Sequence, residues 1–342
     1  MRSIYRILDA NFNRSREALR VVEDFARFLL DDAALAGIAK DLRSDLAQVL
    51  QALPADELLA DRDTPGDVGT ELTSPVEAAR SDAPAVATAA CKRLSEALRT
   101  LEEYAKIVAP AQAPRLERMR YASYTLEQRL AHRIAVGDRF ARVKLYVLLT
   151  SRLCRQDVLA TASAVLEGGA ECIQLREKDM PHGQLLGLAG KLRELTQRRG
   201  ALFILNDRAD IAALVGADGV HVGQDDLPIS AARKLLPLAG LVGQSTHNVG
   251  QAHAAVAAGA DYIGVGPMFA TQTKDAGPLA GLEYMRQVAS EIALPHVAIG
   301  GISAENVKDV IAAGAKAVAV CSSVISDADP ARAAAAIRRQ IP

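Results

Sequence analysis

Arg176 and Lys178 alternate with Gln174 in the stretch Glu171-Cys172-Ile173-Gln174-Leu175-Arg176-Glu177-Lys178. Read as an extended strand over 171–176, this segment puts Ile173 and Leu175 on one face and Gln174, Arg176 and Lys178 on the other. A strand flanked by helical segments is buried on both faces, where an unpaired cation costs several kcal/mol. An anion must therefore face these residues: nearby carboxylates, or a bound phosphate or pyrophosphate.

Further polar residues follow apolar runs along the chain. They are Asn206-Asp207-Arg208, Gly223-Gln224-Asp225-Asp226, Ser245-Thr246-His247-Asn248, Ala270-Thr271-Gln272-Thr273-Lys274-Asp275, Gly300-Gly301-Ile302-Ser303 and Cys321-Ser322-Ser323. They sort into three chemistries. Arg176, Lys178 and Lys274, with the neutral donors Gln174, Asn206 and Ser245, form a cationic set suited to an anion. Asp207 and Asp226 form a carboxylate pair suited to Mg2+, which keeps much of its water and takes one or two protein oxygens plus substrate phosphates. The glycines at 300 and 301 and the hydroxyl residues after Cys321 suit a phosphate on backbone N–H groups, with Thr271 and Thr273 as added donors. Two anionic sites imply two phosphorylated substrates, or one phosphorylated at both ends. His247 is placed to titrate, His221 falls mid-strand as a core or supporting residue, and neither has the Ser or Cys partner pattern of a hydrolase triad.

The elements that must position these groups are legible from periodicity. Apolar runs at 144–150, 171–176, 201–206, 218–222, 241–246, 261–267, 295–300 and 317–322 alternate with helical segments. Several are preceded by a Gly-Ala pair (Gly169-Ala170, Gly216-Ala217, Gly259-Ala260, Gly314-Ala315) in which the glycine ends a helix and reverses the chain. Eight such units predict a (β/α)8 TIM barrel over residues 140–342, with the polar residues gathered at the C-terminal ends of its strands. An open doubly wound sheet is the alternative.

Residues 1–135 read differently, as an all-α helical-bundle domain with an internal repeat. Apolar residues Ala18, Val21, Val22, Phe25, Phe28 and Leu29 recur at helical spacing, and Arg14, Glu17, Ala18, Leu19, Arg20, Glu23, Asp24 and Phe25 match Arg93, Glu96, Ala97, Leu98, Arg99, Glu102, Glu103 and Tyr104 at one fixed offset. Two copies are too few for a solenoid. Further helices are expected over Asp41–Leu53 and Arg115–Val136. The stripe of Arg16, Arg20, Glu23 and Arg27 reads equally as a solvated, ion-paired face or as an anion site, and the Gly-, Pro- and Asp-rich loop 61–70 offers carboxylates and amides without naming a reaction.

Composition bounds the partners. Lys plus Arg number 40 and Asp plus Glu 41, so phosphate chemistry must come from local charge, and neither nucleic acid nor a membrane surface is expected. Cys91, Cys154, Cys172 and Cys321 form no CxxC and are expected to be reduced, in a cytoplasmic protein; the N-terminus shows no apolar signal core and no run approaches membrane-spanning length. A homo-oligomer is left open.

Gln174-Leu175-Arg176-Glu177-Lys178, Asn206-Asp207-Arg208, Gly219-Val220-His221-Val222-Gly223-Gln224-Asp225-Asp226, Ser245-x-His247, Thr271-x-Thr273-Lys274 and Ile299-Gly300-Gly301-Ile302, in this order, resemble the thiamine-phosphate synthases. That resemblance implies a transferase that joins hydroxymethylpyrimidine diphosphate to a thiazole phosphate, carboxylated or not, releasing pyrophosphate, and CO2 from the carboxylated form. It further implies that Gln174, Arg176, Lys178, Asn206, Ser245 and Lys274 bind the pyrimidine diphosphate, with Arg176, Lys178, Lys274 and Ser245 catalytic. Asp207 and Asp226 would hold Mg2+, and Thr271, Thr273, Gly301, Cys321 and Ser322 the thiazole phosphate. Ala270 departs from the family, which usually has proline there. Thiazole tautomerases, of similar fold, are the enzyme alternative and would need a histidine, His247, but neither Asp207 nor the diphosphate cations. Asn11-Phe12-Asn13-Arg14, the Glu-Ala-Leu-Arg repeats and Arg62-Asp63-Thr64-Pro65-Gly66-Asp67-Val68-Gly69-Thr70 resemble a helical domain fused ahead of such synthases, which implies ATP-dependent phosphorylation of the pyrimidine monophosphate. A dimerisation or regulatory bundle without activity is the alternative.

Overall fold

The computed structural model describes residues 2–68, 79–270 and 279–342, and the chain divides into two compact units, Met1–Ala135 and Val136–Pro342. The second unit is a closed barrel of eight parallel strands in sequential order: β1 (Leu145–Leu149), β2 (Cys172–Leu175), β3 (Leu202–Asn206), β4 (Gly219–Val222), β5 (Leu241–Thr246), β6 (Tyr262–Val265), β7 (His296–Ile299) and β8 (Val318–Val320). Closure leaves no sheet edge, so the open doubly wound alternative falls.

Side-chain parity divides the barrel into two cores. Val147, Ile173, Leu175, Phe203, Val220 and Ile263 point outward against the helices. Tyr146, Leu148, Cys172, Ile204, Leu241, Tyr262 and Val297 fill the interior, which Phe140 closes by stacking on Tyr262 with ring centroids 3.7 Å apart. Gly243 makes room for this: a Cβ there would stand 2.1 Å from the Tyr262 ring.

The Gly-Ala reversals form as the sequence predicts, with Gly169, Gly216, Gly259 and Gly314 all at positive φ. At three of them the residue after the pair is a carboxylate that accepts the backbone N–H of a neighbouring strand: Glu171 from Leu145 at 2.8 Å, Asp218 from Phe203 at 2.9 Å and Asp261 from Val242 at 2.7 Å. Each also pairs with an arginine, Arg338, Arg193 and Arg233 respectively. These salt links fix the N-terminal end of the barrel, opposite the polar residues of interest.

The first unit is helical: α1 (Arg2–Phe28), α2 (Ala33–Gln51), α3 (Ala55–Ala60), α4 (Ala83–Val108) and α5 (Ala113–Val136). The repeat seen in sequence is a repeated helical hairpin. Buried Leu8, Phe12, Ser15, Leu19, Val22 and Ala26 of α1 align with Ala87, Cys91, Leu94, Leu98, Leu101 and Ala105 of α4, and buried Ala39, Leu42, Leu46, Val49 and Leu53 of α2 and its end with Leu116, Met119, Ser123, Leu126 and Leu130 of α5. The helix read from Asp41 begins earlier, at Ala33, because Asp32 caps it by accepting the Leu35 N–H at 3.0 Å.

One expectation is corrected here. The stripe through Arg16, Arg20, Glu23 and Arg27 is not a wholly solvated face, because Glu23 is buried and meets Arg43 of α2 at 2.9 Å. Its repeat counterpart Glu102 is also buried and meets Arg120 of α5 at 2.8 Å. Each hairpin thus carries a buried carboxylate held by an arginine of its second helix.

Candidate active site at the barrel mouth

β2 ends at Leu175, so Arg176 and Lys178 stand in the loop above the strand, whereas Gln174 is inside the barrel. This corrects the reading of all three as one strand face: the inward parity holds for Gln174, and the two cations sit at the solvent-facing rim. Backbone bonds pin Arg176, whose N–H donates to Leu149 O at 2.8 Å and whose carbonyl accepts the Thr150 hydroxyl at 3.0 Å. No ion pair is formed by Arg176 among the described residues. Lys178 donates to the Asp207 carboxylate, so internal ion pairing answers for Lys178 and leaves Arg176 as the cation free to meet an outside anion.

Asp207 follows β3 in a left-handed conformation, φ 61°, which only a few residue types adopt readily. Burial pushes its carboxyl above the ordinary range; the Lys178 ammonium opposes this, and the neighbouring Asp226 carboxylate reinforces it. Asp226 is oriented by the Gly223 N–H at 2.8 Å. A carboxyl with a raised value favours the fold while protonated, an advantage lost as pH rises through that value. Burial, reinforced by Asp226, thus disfavours the ionised form of Asp207, which a further cation would relieve, and the donor set of two carboxylates fits Mg2+ completed by substrate phosphates and water.

Gln174 leads into a chain of hydrogen bonds that crosses the barrel. Its Nε2 donates to the Tyr146 hydroxyl at 2.8 Å; Tyr146 and Tyr262 hydroxyls are 3.1 Å apart; Tyr262 meets His221 Nδ1 at 3.1 Å; and His221 Nε2 meets the Ser245 hydroxyl at 2.9 Å. Burial pushes both tyrosine hydroxyls well above their ordinary range, so they stay protonated. Gln174 occupies one acceptor position of Tyr146; in the tautomer where Tyr262 donates to His221 Nδ1, His221 Nε2–H donates to Ser245 and leaves the serine hydroxyl proton to donate onward. Asn206 ends β3 in register with His221 and points to the same interior. Sequence reasoning missed Tyr146 and Tyr262. The signal was two tyrosines at inward parity in strands otherwise made of Val, Ile, Leu and Gly.

The opposite side of the mouth is built by backbone. Gly300 and Gly301 both have positive φ, 102° and 64°. A Cβ on Gly300 would lie 2.6 Å from Pro267, and one on Gly301 2.6 Å from the Ala270 carbonyl, because Met268 and Phe269 N–H groups bond back to Ile299 and Gly300 carbonyls at 2.9 and 3.0 Å. After β8, Cys321 leads into the short helix Ser322–Ile325. Burial raises the Cys321 thiol to about 11, with the Arg176 charge pulling the other way. Thr271, Thr273 and Lys274 lie outside the described residues. His247 holds the Gly266 carbonyl through Nδ1 at 2.7 Å.

Residues 145–324 match the model of a family described as thiamine monophosphate synthase, and residues 6–129 match that of the ThiD2 family. The chain is 44% identical to the thiamine-phosphate synthase of Synechocystis sp. over 339 residues, covering 99% of this chain and 96% of that one. It is 45% identical to that of Nostoc punctiforme, covering 96% and 91%. The chain belongs to the thiamine-phosphate synthase family. Among solved structures, thiamine phosphate pyrophosphorylase from Pyrococcus furiosus matches 60% of this chain and 98% of that one, at 35% identity and a TM-score of 0.56. The chain is thus a transferase with a ThiD2-family unit ahead of its barrel. No helix among the described residues is long and apolar enough to cross a membrane.

Proposed function

We propose that the barrel condenses hydroxymethylpyrimidine diphosphate with a thiazole phosphate to give thiamine phosphate and pyrophosphate, and that the helical unit phosphorylates the pyrimidine monophosphate with ATP. The observation that carries the barrel reading is Arg176, a cation without an ion-pair partner among the described residues, at the same strand-end rim that carries the Lys178–Asp207–Asp226 cluster. An isomerase of the tautomerase kind has no use for that carboxylate pair.

In this reading the C–O bond between the pyrimidine methylene and the diphosphate breaks as the thiazole nitrogen approaches, so cationic character grows at carbon and negative charge on the departing oxygens. Asp207 and Asp226 hold Mg2+, which supplies charge neutralisation for the diphosphate. Arg176, and Lys274 from its loop, bond the oxygens that gain charge, and Lys178 keeps Asp207 ionised. Ser245 donates the hydroxyl left free by the Gln174–Tyr146–Tyr262–His221 chain, while Gln174 and Asn206 orient the pyrimidine diphosphate. The thiazole phosphate sits on Gly301, Cys321 and Ser322, with Thr271 and Thr273; its carboxylated form would release CO2 as well. Pyrophosphate is a good leaving group and needs no strong general acid.

The test supplies pyrimidine monophosphate, ATP, Mg2+ and thiazole phosphate to the whole chain, then pyrimidine diphosphate and thiazole phosphate without ATP. Thiamine phosphate in both is expected. Product only in the second removes the kinase reading; product in neither removes the synthase reading.

A further inference from the structure

The repeated hairpins of the helical unit are alike in their buried positions but not at one surface. In the second copy, Arg120 is held on three sides: its Nε donates to Glu102 at 2.8 Å, one terminal nitrogen meets the Tyr124 hydroxyl at 3.3 Å, and its guanidinium lies 4.6 Å from the Tyr121 ring centroid. In the first copy the aligned arginine is Arg43, and Ser44 and Ala47 stand where Tyr121 and Tyr124 stand in the second. The small residues leave a cleft of about 380 Å3 lined by Phe12, Asn13, Arg16, Lys40, Arg43 and Leu46, with Ser44, Ala47 and Leu50. That volume lies in the range of small-ligand sites.

The cleft's electrostatics are incomplete. Arg43 spends one terminal nitrogen on Glu23, but its buried Nε has no hydrogen-bond partner among the described residues, and a buried donor left unmade costs on the order of 1–3 kcal/mol. Among the described residues Arg16 donates only to Asn13 Oδ1, at 3.2 Å. Asp9, the carboxylate bonded to Asn13, is already held by Arg62 through two bonds of 2.8 and 2.7 Å. Lys40 makes no ion pair among the described residues, and its aligned counterpart in the second copy is the acidic Glu117. Three cations thus converge beside an apolar wall of Phe12, Leu46 and Leu50.

We propose that this cleft binds a phosphorylated heteroaromatic molecule, the phosphate on Lys40, Arg16 and Arg43 and the ring against Phe12 and Leu46. The proposal rests on the kinase reading for its choice of ligands, the pyrimidine monophosphate or the nucleotide, which share this chemistry. The second hairpin is then the copy whose site has been filled by its own tyrosines.

The experiment titrates the full chain calorimetrically with pyrimidine monophosphate and, separately, with a non-hydrolysable ATP analogue. Ala47→Tyr and Lys40→Glu each install the residue of the second copy at an exposed position. Binding is read as the difference from wild type, so that any binding in the barrel cancels. Melting temperature and thiamine phosphate formation from ready-made pyrimidine diphosphate check that the variants fold. Loss of about tenfold or more in affinity for one of the two ligands supports the cleft and says which it takes. Equal affinity in wild type and variants, or no binding of either ligand, overturns it. ATP-dependent formation of the diphosphate, measured on the same samples, separates the two ideas: unchanged turnover in both variants sinks the cleft alone, whereas binding lost in the variants without any wild-type turnover keeps the cleft and sinks the kinase.

Discussion

Replacing Arg176 by alanine separates catalysis from stability more cleanly than any other change at the mouth. Its backbone bonds to Leu149 and Thr150 survive the substitution, and the side chain has no ion-pair partner among the described residues to strand. The expected stability change is that of a surface site, within about 0.5 kcal/mol, or a shift of about 1–2 °C in melting temperature. The guanidinium is poised to bond a diphosphate whose charge grows during C–O cleavage. Losing such a charge-assisted contact costs about 2–4 kcal/mol in the transition state, which is roughly 30- to 1,000-fold in kcat/KM. The assay is steady-state pyrophosphate release at saturating thiazole phosphate beside a thermal melt, with Arg176→Lys as a partial rescue that keeps the charge and loses the planar fork. A rate within about threefold of wild type, or a loss of stability as large as the loss in rate, would refute the reasoning.

Removing Lys178 acts through Asp207: without the ammonium that opposes burial, the carboxyl rises further, so Lys178→Ala should move the acidic limb of the pH–rate profile to higher pH, and added Mg2+ should move it back down. Tyr146→Phe strands the buried Gln174 amide and should cost about 1–3 kcal/mol in denaturant melts while raising the KM for the pyrimidine diphosphate. Gly300→Ala forces a Cβ against Pro267 at positive φ and should weaken thiazole phosphate binding, read as a raised KM for that substrate with the other unchanged. Arg120→Ala leaves buried Glu102 without its main partner; a cost on the order of 3 kcal/mol is expected in chemical denaturation of the full chain.

The barrel was legible because its repeat is physical: apolar runs mark the strands, and glycines such as Gly169 and Gly216 mark several of the returns. The rim was legible for a related reason, since polar residues after buried strands have only the mouth to occupy. What the sequence hid was where each strand stops. Alternation carried Arg176 and Lys178 inward with Gln174, but β2 ends at Leu175 and the chain turns outward, so parity no longer assigns a face. Pairing was hidden too. Lys178 reaches Asp207 from another loop, and Glu23 reaches Arg43 from another helix; neither link has a local pattern. The cleft of the first hairpin was invisible for the same reason, since Ser44 and Ala47 look like ordinary exposed helix residues until Tyr121 and Tyr124 are laid over them.

The polar chain inside the barrel also has a consequence for how such sequences can change. Gln174, Tyr146, Tyr262, His221 and Ser245 come from five different strands, yet each has a neighbour in the chain whose donor or acceptor role depends on it. Gly243 is tied to them as well, because only its missing side chain admits the Tyr262 ring. An apolar replacement at one link leaves its neighbours orphaned, so a single step is costly where a joint replacement is not. Relatives of this chain should therefore keep these positions together or exchange them together, as one inherited block dispersed along the sequence.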